Sequence, residues 1–171
     1  NQSGRLVRVE KSIPVFHAHG DHSLEEIAGV SPECISLLAG LSSLSDFDRE
    51  QVLFFDTETT GLAGGAGTYA FLLGAGFFEK SDFRLVQFFL PDFSSEHAFF
   101  LDFTRFITEL VEHKGLRYLV TFNGKSFDLS LLENRFVLQR LENPCTPLLQ
   151  LDLLHPCRLL WRGRFEDCSL Q

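Results

Sequence analysis

The sequence predicts an α/β domain on a mixed sheet, three antiparallel strands followed by helix, strand and helix, with an N-terminal arm ahead of it. Three observations predict it. Residues 51–55, QVLFF, run apolar without alternation, the mark of a strand covered on both faces. Residues 69–79 and 83–90 are two more strand-like runs, separated only by Lys80-Ser81-Asp82, a spacing that makes a hairpin. After Pro91 an amphipathic stretch, a short apolar run and a second amphipathic stretch follow one another.

Taken in order, RLVRVEKSIPVF in the arm reads as a strand, and Ser23-Leu24-Glu25-Glu26 has the form of a capping box opening a short helix. Pro32 starts a second helix. The central strand at 51–55 and the hairpin come next, and Pro91 closes the meander. Ser94 or Ser95 is the expected cap of a helix running to about His113. Its Phe99, Phe103, Phe106, Leu110 and Val111 fall at helical spacing, and Lys114-Gly115 ends it. Residues 117–122 form a strand, which Asn123-Gly124-Lys125-Ser126 turns into a helix over 127–140. Pro144 and Pro147 break the chain before a segment around 150–161. A strand reached through a long helix makes a right-handed crossover and returns parallel. The tips of the first and fourth strands therefore lie side by side, as in the ribonuclease H-like fold.

Composition narrows the function classes. The chain has 171 residues, of which 44% are hydrophobic, with 19 Phe, one Trp and no Met, so the core is expected to be aromatic. No apolar run reaches the roughly 18 residues of a membrane span, and NQSGRLVRVE is too polar for a signal peptide. No membrane partner and a cytoplasmic location are expected. Cys34, Cys145, Cys157 and Cys168 form no CxxC pair, which fits buried thiols in a reducing compartment. The net charge of −8 argues against a generic nucleic-acid coat, yet residues 114–164 hold eight Lys or Arg against four Asp or Glu, leaving one basic side that can face phosphate. Residues 1–49 are expected to be the arm with its short helices and 50–171 the ribonuclease H-like domain. Because the chain starts at Asn1 and stops at Gln171 without turn or cap, it is expected to be a piece of a longer protein.

The central strand runs into Asp56-Thr57-Glu58. Two carboxylates two residues apart on a strand project to the same side. Without a cation they repel, and one proton is retained. Acids at a strand end commonly just face water; here the strand is buried and the glycine-rich stretch 61–67 leaves space for a ligand. Asp128 falls in the first turn of the helix after the fourth strand, where the helix dipole favours an acid regardless of function. Each motif alone says little.

Together they say more. DTETTG at 56–61 and NGKSFD at 123–128 resemble the first two motifs of the DEDD 3'-5' exonuclease superfamily, the DnaQ-like enzymes. The longer text FFDTETTGLAGGAGTYAFLLGAGFF, with FFLPDFSSEHAFF and LVTFNGKSFDLSLLENR, is similar to the YprB-type ribonuclease H-like family over roughly residues 50–171. The resemblance implies that Asp56, Glu58 and Asp128 are catalytic metal ligands. It further implies that Thr57 and Asn123 help place the terminal nucleotide or the ligands and that Lys125 is a substrate contact. The implied activity is two-metal hydrolysis of phosphodiester bonds at single-stranded DNA or RNA 3' ends, with Mg2+ or Mn2+. One departure is plain: the superfamily's third motif, a fourth carboxylate with a general-base His or Tyr in HxxxxD or YxxxD form, has no match after Asp128. Asp152-Leu153-Leu154-His155-Pro156-Cys157-Arg158 resembles the structural segment before that motif. This chain alone is therefore expected to lack part of the site, and an inactive ribonuclease H-like binding or scaffolding module is the alternative.

Three other patterns compete. His17-Ala18-His19-Gly20-Asp21-His22 matches HxHxDH of metallo-β-lactamase-fold hydrolases, but that fold needs a preceding sheet and further ligands, so the reading favoured is a polar turn capping a helix, with adventitious zinc binding next. Gly124-Lys125-Ser126 is similar to the end of a P-loop, but the required earlier glycine is Leu119. Gly65-Ala66-Gly67-Thr68-Tyr69-Ala70 has a dinucleotide-loop form, but a strand-like stretch follows where a helix is needed.

Overall fold

The apolar run at 51–55 becomes the central strand of a six-stranded sheet. The computed structural model describes residues 6–40, 47–61 and 67–164. In chain order these form β1 (Val7–Pro14), a small ribbon of β2 (Ala18–His19) and β3 (His22–Ser23), α1 (Pro32–Ala39), β4 (Val52–Thr59), β5 (Ala70–Glu79), β6 (Asp82–Phe89), α2 (Glu96–Lys114), β7 (Tyr118–Thr121), α3 (Asp128–Gln139), β8 (Leu149–Asp152) and α4 (Leu154–Leu160). The sheet order is β1-β6-β5-β4-β7-β8. β4 pairs antiparallel with β5 and parallel with β7, and β7 pairs parallel with β8. The meander thus lies on one side of β4 and the crossover strands on the other, the mixed sheet expected of a ribonuclease H-like fold.

Alternation along β4 divides two cores. Leu53 and Phe55 join Leu73, Phe77 and Phe88 under α2 and α3, which contribute Phe99, Phe100, Phe103, Ile107, Leu132 and Phe136. Val52 packs on the opposite face with Tyr118, Val120 and Leu151, covered by Ile35 of α1 and by Phe47. Gly76 is needed where it stands, since a Cβ there would lie 2.4 Å from the Phe83 ring, which packs edge-on against Phe54 and Phe78.

One local expectation changes, at the start of α2. The α2 helix is not capped by a serine side chain: Asp92 accepts the Ser94 N–H at 2.9 Å and starts a 3-10 turn, Phe93–Ser95, from which α2 continues. The arm's strand is an edge strand of the sheet, with β1 antiparallel to β6 from Val7↔Phe89 to Pro14↔Asp82. The box at Ser23 forms, its N–H donating to Glu26 Oε1 at 2.8 Å, and the helix it opens, Leu24–Gly29, is 3-10. Among the described residues no helix is long and apolar enough to cross a membrane.

Candidate active site

The strands β4, β7 and β8 all run the same way, and their carboxyl ends meet the turns that carry the polar motifs, the usual place for a ligand in an α/β sheet. β4 overshoots β7: its last partner there is Phe54, opposite Val120, so Asp56, Thr57 and Glu58 stand beyond the pairing, next to the turn after β7. A register shift between Glu58 and Thr59 against β5 adds a bulge at the same point, and bulges re-aim side chains at strand ends.

That turn is fixed by an aspartate at the end of the neighbouring strand. Asp152 Oδ1 accepts the backbone N–H of Asn123 at 2.7 Å and of Leu154 at 3.0 Å, while Oδ2 accepts the N–H of Lys125 at 2.9 Å. Asn123 is held at φ +62°, a left-handed conformation that asparagine tolerates better than most residues. Gly124 presses on β7 so closely that a Cβ would lie 2.5 Å from Thr121 Cβ. From this turn α3 starts at Asp128.

Asp128 meets β4 on the face of Thr57, not on that of the two acids. The Thr57 hydroxyl donates a short hydrogen bond to Asp128 Oδ1. Asp56 and Glu58 do share one side of the strand, as their spacing predicts. Asp56 keeps an exposed edge, but partial desolvation first, then the charge of Asp128 and more weakly that of Glu58, hold its carboxyl above the usual aspartate value, against a hydrogen bond from the Thr57 backbone. Asp56 is thus within electrostatic reach of both Asp128 and Glu58. Among the described residues no three His, Cys, Asp or Glu side chains are gathered to hold a metal ion. The donor set, hard carboxylate oxygens repelling one another, is nonetheless the chemistry that a hard divalent cation would relieve.

A cleft of about 500 Å³ opens here, lined by Thr57, Glu58, Thr59 and Gly61 from the β4 end, by Phe122 and Asn123 from the turn, and by the first two turns of α3. Ser126, Ser130 and Asn134, four apart, put a polar stripe along the α3 side, and Phe127 leaves its ring half exposed on the same wall. Of the residues expected at the site, Thr57, Glu58, Asn123 and Asp128 line this cleft, Asp56 stands beside it, and the contact seen for Lys125 is made by its backbone while the side chain is exposed. The glycine-rich stretch is described only at Gly61 and Gly67; 62–66, like 165–171 with Cys168, lie outside the described residues. Sequence reasoning placed Asp152 in a segment resembling the one before the third motif but missed its hold on the turn, and it missed the stripe on α3, whose signal was its four-residue spacing.

Away from the cleft, His17 to His22 form the ribbon, with Gly20 at φ +60° in its turn and His22 Nδ1 paired to Glu26 Oε2 at 2.9 Å. A buried ion pair joins α2 to α3: Arg135 Nε donates to Glu96 Oε1 at 2.6 Å, and the guanidinium lies over the Tyr69 ring, 4.2 Å from its centroid.

Residues 53–171 match the family described as RNase_H_2, RNase_H superfamily. The chain is also 36% identical over 171 residues to a protein described as uncharacterized protein YprB of Bacillus subtilis (strain 168), an alignment covering 96% of this chain and 38% of that protein. The chain spans well under half the length of this relative.

Proposed function

We propose, from the premise that this chain belongs to the ribonuclease H superfamily and carries its nuclease-type domain, that it is a metal-dependent 3'-5' exonuclease acting on single-stranded DNA or RNA ends. The observation that supports this reading best is the junction of Asp128 with the Asp56-Thr57-Glu58 strand end across one open cleft. In this reading residues 50–171 are the nuclease domain, residues 1–49 its arm, and the cytoplasm its setting.

Asp56, Glu58 and Asp128 would hold Mg2+ or Mn2+, which carboxylate oxygens select over softer metals. Bound ions would supply Lewis acidity toward the phosphate and lower the pKa of the attacking water. The remaining work falls to the chain. Thr57 ties down one oxygen of Asp128 and leaves the other for a further partner. Phe127 offers a ring for stacking a base, Asn123 lines the wall where the terminal nucleotide would sit, and Lys125 adds a positive charge beside it. Among the described residues lining the cleft there is no His or Tyr. A proton acceptor for the attacking water belongs, by the resemblance, to the third motif.

The second reading, a binding or scaffolding module, draws support from the ungathered ligands. A 5'-labelled single strand incubated with Mg2+ or Mn2+ separates the two. An exonuclease yields a ladder shortened from the 3' end, slow here because general-base help is worth roughly 10² to 10⁴ in rate, and absent in Asp56→Asn. Strands that are bound yet stay full length at every metal concentration support the module instead.

A further inference from the structure

The end of α4 carries a concentration of side chains that the cleft does not use. Arg158, Arg162 and Arg164 fall within seven residues, and no acid occurs from 153 to 165. Arg158, Leu159, Leu160, Trp161, Arg162 and Arg164 are all exposed, with Leu159 at 70% and Trp161 at 39%. Among the described residues none of these three guanidiniums pairs with a carboxylate. An exposed apolar run of this kind on a chain of net charge −8 is not ordinary solvated surface.

Its position joins it to the cleft. Asp152 ties the cleft's turn through Asn123 and Lys125, Leu153 N–H donates to Thr121 O at 2.8 Å, and α4 starts at once, its N-terminal Leu154 bonded to Asp152 Oδ1. Seven helical residues cover about 10 Å. A strand whose 3' end lies in the cleft must leave by its 5' side, and the basic end of α4 is one short helix away from the turn where it would leave.

We propose that the α4 end, through Arg158, Arg162, Arg164 and Trp161, is a binding track for the body of a single-stranded nucleic acid whose 3' end occupies the cleft. This rests on the nuclease reading for the identity of the end, and on charge for the rest. Arginine forks match phosphate oxygens, and a tryptophan face stacks any base, so the track is sequence-tolerant. An acidic protein segment would suit the arginines but would bring no planar base to the exposed part of the Trp161 ring beside them.

Binding is measured by fluorescence anisotropy of labelled dT15 and dT4 in metal-free buffer, across a salt series. Each single-strand phosphate contact contributes about 0.7 to the slope of log K against log salt. Arg158→Gln/Arg162→Gln/Arg164→Gln is therefore expected to flatten the dT15 slope by about 2, to leave dT4 unchanged, and to regain the slope as the triple lysine variant. Trp161→Leu is expected to weaken dT15 roughly 5-fold or more at unchanged slope, with Trp161→Phe close to wild type. An unaltered slope, equal losses for both lengths, absent wild-type binding, or displacement of dT15 by polyglutamate of equal charge overturns the track. Because binding is read without metal, strand shortening is read separately after Mg2+ or Mn2+ is added: binding through the track with no shortening in the metal removes the exonuclease reading and leaves the track, whereas shortening with an unaltered slope does the reverse.

Discussion

Asp152 and Gly124 hold the turn between β7 and α3 from two sides, one by hydrogen bonds and one by the lack of a side chain. Hydrogen bonds to a charged acceptor are worth roughly 1.5–3 kcal/mol each, and those to exposed donors are partly replaced by water. Asp152→Ala should therefore cost about 2–3 kcal/mol in urea unfolding and speed amide exchange at Asn123 and Lys125. Asp152→Asn should lose less, because it keeps one accepting oxygen. A cost under about 0.5 kcal/mol for the alanine would show that the turn holds itself. Gly124→Ala drives a methyl into Thr121 and should destabilise by about 1–3 kcal/mol. Asp56 and Glu58 could be picked out in the sequence because charge at the end of an apolar run is a local signal, and Asp128 because NGKSFD, at a helix start, resembles a known motif. The bond from Thr57 to Asp128 could not, since it depends on which pleat of β4 faces a helix 71 residues away. The hold of Asp152 on the turn was not readable, because two of its three donors lie on the turn after the neighbouring strand, 29 and 27 residues away.

Strands β4 to β7 and helices α2 and α3 were legible because their periods, continuous apolar for buried strands and a phenylalanine every three or four residues for α2, are set by what covers them. Helix starts were less so: a serine before α2 looks like a cap, but the side chain that caps there is Asp92, which opens the preceding 3-10 turn by accepting the Ser94 N–H. The end of β4 carries an electrostatic consequence of its own. A carboxyl whose folded-state pKa lies above its unfolded value adds stability that is complete below the unfolded value, 3.8 for an ordinary aspartate, and is lost as pH rises through the folded value. Asp56 is such a group. Without metal, stability should decline as pH rises from about 4 through the elevated pKa of Asp56, and Asp56→Asn should lack that part of the decline. If these acids form the proposed metal site, Mn2+ or Mg2+ should offset it in wild type and not in Asp56→Asn, because a cation held by Asp56, Glu58 and Asp128 would take the place of the proton. Urea midpoints read at half-unit steps of pH test both points. Identical pH profiles for the two proteins would mean that neither burial nor the neighbouring acids raise Asp56 in the fold.

At the scale of the whole molecule the N-terminal strand was visible in RLVRVEKSIPVF, but its place was not, because its partner lies some 75 residues on and no local pattern names it. The structure makes it a working edge. Arg8 lies over the rings of Phe106 and Phe88, 4.7 and 5.3 Å from their centroids, and pairs with Glu10 at 2.7 Å; Arg84 of β6 pairs with the same Glu10 at 2.9 Å. Ser12 donates to Asp82 at 2.7 Å, and Val15 N–H to Ser81 O at 2.9 Å. The surface ion pairs alone are worth little. The backbone ladder and the cover over Phe88 and Phe106 are worth more. Removing residues 1–16 would leave β6, with Phe83, Phe88 and Phe89, as an unpaired edge, and such edges recruit other chains. The shortened protein is therefore expected to melt at least about 5 °C lower, since each kcal/mol moves a domain of this size by about 2–4 °C, and to scatter light at concentrations where the full chain stays clear. Arg84→Ala in the full chain, which breaks the ion pair and keeps the strand, should shift melting by no more than a degree or two. If instead the truncated chain melts with the wild type and remains monodisperse, β1 only lies along the sheet, and the domain's edge is already closed at β6.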